Sequence, residues 1–160
     1  MTTMQSHSAS FRPSLPRLTQ CAKVAQPLIP ETIRRHTLGV GLNHTFSKAL
    51  RRGELDFLHG RQARITVPDI NLDFAVTLLG QRLQVSLKPV ASDVTFRADT
   101  RSLLQIMAGQ VDPDTLFFRR KLAIEGDTEL GLELKNFLDS QDPEGLIPPP
   151  AYRLITSLLL

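Results

Sequence analysis

The chain has 160 residues, of which 41% are hydrophobic and 22% charged, and its formal net charge is +3. That length suits one domain with tails, and that balance argues against extensive disorder and against a membrane-embedded body. The single cysteine, Cys21, excludes an intramolecular disulfide framework and a cysteine-built zinc site, and it points to a reducing compartment, the cytoplasm.

Residues 1–12 lack the apolar run of a secretory signal and read as a disordered polar tail. Over residues 13–30, Leu15, Leu18, Ala22, Ala25 and Ile29 recur at helical spacing, with Arg17 and Lys23 beside them. This predicts an amphipathic N-terminal helix that packs on its own domain or docks on a membrane or partner. A second helix is expected to run from Glu31 to Arg52. It would bury Leu38, Leu42, Thr45, Phe46, Ala49 and Leu50 and end at Gly53.

Beyond Gly60 the apolar period falls from about 3.6 to about 2. Ala63, Ile65 and Val67 alternate with polar neighbours, and so do Leu72, Phe74, Val76 and Leu78. Leu83, Val85 and Leu87 follow, then Val94, Phe96 and Ala98. Gly80-Gln81 predicts a two-residue hairpin turn of the glycine-first kind. Strands with one apolar and one mostly polar face predict an antiparallel sheet covered on one side.

Asp99 or Thr100 caps a helix carrying Leu103, Leu104, Ile106 and Met107, which Gly109 ends. Asp112-Pro113 opens a short helix closed by Phe117 and Phe118. Leu122 to Glu125 reads as a fifth strand, and Gly126 permits the reversal into a helix capped by Asp127 or Thr128. That helix presents Leu130, Leu134, Phe137 and Leu138 on one face. Residues 143–160 read as a proline-rich extended linker and an apolar C-terminal helix, too short to span a bilayer but able to lie on one.

No catalytic, metal or cofactor motif emerges. His7, His36, His44 and His59 lack any paired ligand spacing, and the acidic residues sit where helix ends favour them. Without tryptophan and with one tyrosine, the basic residues Arg51, Arg52, Arg61 and Arg64 lack the stacking partners of a nucleic-acid surface. The apolar wall from Asp112 to Ser140 either closes a dry core or lines a tunnel for a lipid. Residue pattern alone leaves both open.

The run from Phe46 to Leu138 resembles the sterol-carrier-protein (SCP2-type) lipid-binding domain. The resemblance rests on Asp93-Val94-Thr95-Phe96, Leu103-Leu104 with Gly109, Asp112-Pro113 with Phe117-Phe118, and Lys121 through Asp127. One position departs: members usually carry glycine just before the lysine–leucine pair, and Arg120 stands there. The longer run from Asp112 to Asn136, with Gly53 to Arg61, is similar to one branch of that family. These are the bacterial accessory factors of oxygen-independent ubiquinone biosynthesis.

The resemblance implies an α+β fold over residues 31–142, a five-stranded mainly antiparallel sheet with helices covering one face around an apolar cavity. It implies no enzymatic activity and no cofactor. The implied ligands are polyprenylated phenols or ubiquinone intermediates, or a phospholipid. The implied partners are UbiU and UbiV type hydroxylation proteins, with peripheral membrane contact and no nucleic acid. The lining expected from helices is Phe46, Leu50, Met107, Phe117, Phe118, Leu134, Phe137 and Leu138. From strands it is Phe74, Val76, Leu78, Val85, Phe96 and Ile124.

Overall fold

The computed structural model describes residues 15–89 and 91–159, so the expected polar tail lies outside the described residues. Helix α1 (Leu15–Ala25) precedes α2 (Glu31–Thr45) and α3 (Ser47–Arg51). Strands β1 (Ala63–Val67), β2 (Leu72–Leu79), β3 (Arg82–Leu87) and β4 (Val94–Ala98) follow. Then come α4 (Thr100–Met107), α5 (Pro113–Phe118), β5 (Leu122–Gly126) and α6 (Thr128–Ser140), and last α7 (Pro143–Leu146) and α8 (Pro149–Leu159).

The five strands lie in the order β3-β2-β1-β4-β5. All neighbours are antiparallel except β1 and β4, which run parallel, so the sheet is mixed and mainly antiparallel. The β2–β3 hairpin turns at Gly80, whose φ of 61° suits the first position of a glycine-first turn. Register aligns Leu87, Phe74, Ile65, Phe96 and Ile124 in one row across the whole sheet. The adjacent row on the other face reads Ser86, Ala75, Arg64, Thr95 and Glu125. That face also carries the Arg64 guanidinium on the Asp73 carboxylate, at 2.8 and 2.5 Å.

The apolar rows meet Leu38, Leu42 and Phe46 of the N-terminal helices and Leu130, Leu134 and Phe137 of α6 in one packed cluster. Gly131 lets α6 approach closely: a Cβ there would lie 2.9 Å from Ile124 Cγ2. In each case the aspartate takes the helix cap, Asp99 accepting from the Ser102 amide and Asp127 from the Leu130 amide.

Two expectations differ from what is seen. The helix expected over Glu31 to Arg52 bends at Phe46, where φ is −96° and ψ is 18°. The bend keeps the Phe46 amide on the Leu42 carbonyl at 2.9 Å. The Phe46 ring sits 5.4 Å from that of Phe137, so tertiary packing accompanies the departure from an unbroken helix.

The expected extended linker is instead largely helical. Asp142 caps α7, and Pro149 begins α8, a place where a missing N–H costs nothing. Helix α8 packs on α4: Arg101 donates to the Leu159 carbonyl at 2.7 Å, and Leu159 is buried. Helix α1 buries no residue and touches the turn at 68–70.

Candidate functional site: an apolar groove beside the fifth strand

The local chain from Asp112 to Gly126 builds the site. Asp112 accepts hydrogen bonds from the Thr115 amide and hydroxyl, both at 2.7 Å. Those bonds hold its carboxyl below the ordinary carboxylate range and anchor the start of α5. At the other end of α5 the Arg120 amide bonds to the Phe117 carbonyl and the Lys121 amide to the Leu116 carbonyl, at 3.0 and 2.8 Å. This paired arrangement needs a left-handed residue, and Arg120 supplies it at φ 58°. A glycine would adopt the same conformation without the Cβ penalty.

The turn leaves Phe117 42% and Phe118 79% exposed, with ring centroids 5.7 Å apart. Both line a groove of about 340 Å³ between α5, β5 and α6. Ile124, Gly126 and Gly131 also line it, with Leu132 on the α6 side. The Lys135 ammonium and the Asp114 carboxylate, 2.5 Å apart, form a polar edge. The groove therefore pairs an apolar bed with charged groups at its margin, the chemistry of a small amphipathic ligand.

The expected lining residues divide. Leu50, Phe74, Val76, Leu78, Val85, Phe96, Leu134 and Phe137 are buried in the packed cluster, and Phe46, Ile124 and Leu138 pack against it half-buried. Phe117 and Phe118 stand outside it, in the groove. Met107 is half-buried and belongs to neither. Ile124 is common to cluster and groove, so the groove is continuous with the apolar row of the sheet.

Leu132, Gly131, Asp114 and Lys135 were not among the expected residues. Leu132 lies off the periodic stripe of α6, and periodicity assigns such a position to solvent. Only the closeness of α5, which no local pattern encodes, makes it a groove residue.

A larger groove of about 460 Å³ lies between α2 and β3, lined by Arg35, His36, Asn43, Arg82 and Gln84 among others. Its polar and cationic lining suits water and anions more than a hydrocarbon. Among the described residues no cluster of three or more His, Cys, Asp or Glu could hold a metal ion. No helix among them is long and apolar enough to cross a membrane.

Comparison with known proteins agrees with this architecture. Residues 42–139 match the model of the SCP-2 sterol transfer family. The ubiquinone biosynthesis accessory factor UbiT of Escherichia coli (strain K12) is 45% identical over 128 residues, 80% of this chain and 72% of that protein. The same figures hold for UbiT of Escherichia coli O157:H7. Among solved structures, a UbiJ-SCP2 ubiquinone synthesis protein superposes with a TM-score of 0.57 at 18% identity, covering 69% of this chain and 93% of the other, a likeness of fold. The chain belongs to the SCP-2 sterol transfer family, among its UbiT-type ubiquinone biosynthesis accessory factors.

Proposed function

We propose that the protein is a non-catalytic accessory factor that holds the polyprenyl tail of ubiquinone intermediates and presents the polar head to hydroxylases. The observation that carries this reading is the exposed pair Phe117 and Phe118, set over a groove that runs onto the apolar row of the sheet through Ile124. Two large aromatic faces left to water suit the removal of a hydrocarbon from water, at about 25 cal/mol per Å² of apolar surface buried. The charged margin at Asp114 and Lys135 suits a phenolic head that stays at the surface.

Size sets how the tail is held. The groove, about 340 Å³, lies at the small end for a ligand pocket and takes only the first part of a polyprenyl tail. The rest of a longer tail lies on a membrane or enters by parting α6 from the sheet. The resemblance to UbiT supports a place in ubiquinone biosynthesis. Oxygen-independent hydroxylation beside UbiU and UbiV type proteins, in the cytoplasm or at the inner face of the membrane, completes the proposal.

A second reading, a structural adaptor with a filled core, draws on the packed cluster between helices and sheet. Mass spectrometry of lipid extracted from the purified protein separates the two. Carriage expects a prenylated phenol or quinone precursor to co-purify, whereas an adaptor yields none and takes up no prenyl-phenol analogue. A phospholipid alone would make the protein a phospholipid carrier or membrane anchor instead.

A further inference from the structure

The two edges of the sheet are treated differently. At β3 the Asn43 carboxamide occupies the outward N–H and C=O of Leu83, at 2.9 and 2.8 Å. An added strand finds those groups taken. At β5 no such plug is present among the described residues. The Asp127 amide bonds to the Asp93 carbonyl at 2.8 Å, which sets the phase of the β4–β5 ladder. Ala123 and Glu125 therefore turn their backbone groups toward β4, and Leu122 and Ile124 turn theirs outward.

We propose that β5 pairs antiparallel with β5 of a second copy of this chain, about a two-fold axis at Ala123, joining two sheets into one. The phase of the ladder fits this arrangement. Leu122 falls opposite Ile124 of the second copy, so the outward groups of both exchange hydrogen bonds twice over. Ala123 meets its own copy at the axis, where a small side chain crowds nothing. Lys121 falls opposite Glu125 of the second copy, and Glu125 opposite its Lys121, so two attractive charge pairs form in the positions where cross-strand side chains stand closest.

Five residues of edge bury less than the roughly 1,000 Å² that a stable association needs. The remainder comes from Phe117 and Phe118, exposed on the helix that leads into β5. The operation leaves the helical layers of both copies on the same side of the joined sheet, which brings these aromatic pairs toward each other. The inference rests on the free edge and its charges; it shares Phe117, Phe118 and Ile124 with the proposed lipid groove, whereas Lys121 and Glu125, the residues that test it, do not line that groove.

Sedimentation of the full chain tests it with charge swaps at exposed positions. At roughly 100 µM the unaltered protein is expected to be a dimer. Lys121→Glu and Glu125→Lys each turn both attractive pairs into repulsive ones, weakening dimerisation by roughly tenfold or more with folding unchanged by circular dichroism. Mixing the two single variants restores opposite charges across the axis and is expected to yield a heterodimer in native mass spectrometry. A monomer at that concentration, a dimer indifferent to either swap, or single variants that fail to combine would each overturn the proposal.

Discussion

The carboxamide of Asn43 closes two hydrogen bonds on the backbone of Leu83, donating to its carbonyl at 2.8 Å and accepting from its amide at 2.9 Å. A side chain from α2 thus stands in for a neighbouring strand. It ties the helix layer to the outer edge of the sheet forty positions along the chain. Replacing Asn43 with alanine leaves two backbone groups without their partner and is expected to destabilise the fold by about 1–3 kcal/mol. Asn43→Asp keeps the acceptor for the Leu83 amide but sets a carboxylate oxygen against the Leu83 carbonyl, and is expected to cost at least as much at neutral pH. Urea unfolding measures both, and an alanine variant as stable as the parent would show that water replaces the pair at no loss.

Arg120 occupies a left-handed turn at φ 58° without the freedom of glycine. The strain is of order 1–2 kcal/mol for a residue with a Cβ, partly offset because glycine gains entropy when unfolded. Arg120→Gly is therefore expected to raise stability by about 1 kcal/mol, read as a higher unfolding midpoint. A fall in the midpoint would mean that the arginine side chain contributes contacts worth more than the strain.

The local grammar of the chain was legible where it concerns neighbours in sequence. Asp112 followed by Pro113, the Gly80-Gln81 turn and the alternation through Phe74, Val76 and Leu78 each carry their structure within a few residues. The SCP2-type resemblance then supplied the architecture. What remained hidden depends on partners far away. The parallel pairing of β1 with β4 is encoded by no local pattern, because alternation names a face and not a neighbour. The bend at Phe46 goes with its packing on Phe137, and the helix at Pro149 docks on α4, so proline runs read as spacer became structure. In the groove, Phe117 and Phe118 were legible as an aromatic pair, while Leu132 was not, since its position on α6 looks solvent-facing until α5 is placed beside it.

Phe118 and Phe137 separate function from stability. Phe118 is 79% exposed, so Phe118→Ala is expected to change stability by no more than about 0.5 kcal/mol while weakening uptake of a prenylated phenol. Phe137 is buried against Phe46 and Phe57, and Phe137→Ala is expected to lower stability by about 3–5 kcal/mol. Equal losses of stability in the two variants would contradict this division.

Acid sensitivity follows from two carboxylates. Hydrogen bonding from the Arg64 guanidinium, aided by its charge and by Thr66, holds Asp73 below the ordinary carboxylate range. Bonds from the Thr115 hydroxyl and amide do the same for Asp112. Because folding lowers both values, the unfolded chain binds more protons in the acid range. Their contribution is fully present above the unfolded value of about 3.9 and is lost as pH falls through the folded values. Asp73→Asn is expected to lower stability at neutral pH and to flatten its decline below about pH 4. A parallel decline in parent and variant would remove Asp73 from the acid response.

Carriage of a prenylated phenol in the groove is tested most directly by mapping backbone amide shifts while a short-chain prenylated phenol is titrated into the isotopically labelled protein. Carriage predicts saturable shifts centred on Phe117, Phe118, Ile124, Gly126, Gly131 and Leu132, and their loss in a Phe117→Asp variant. Shifts that never saturate, or that centre on Arg35, His36 and Arg82 at the far edge of the sheet, would contradict it.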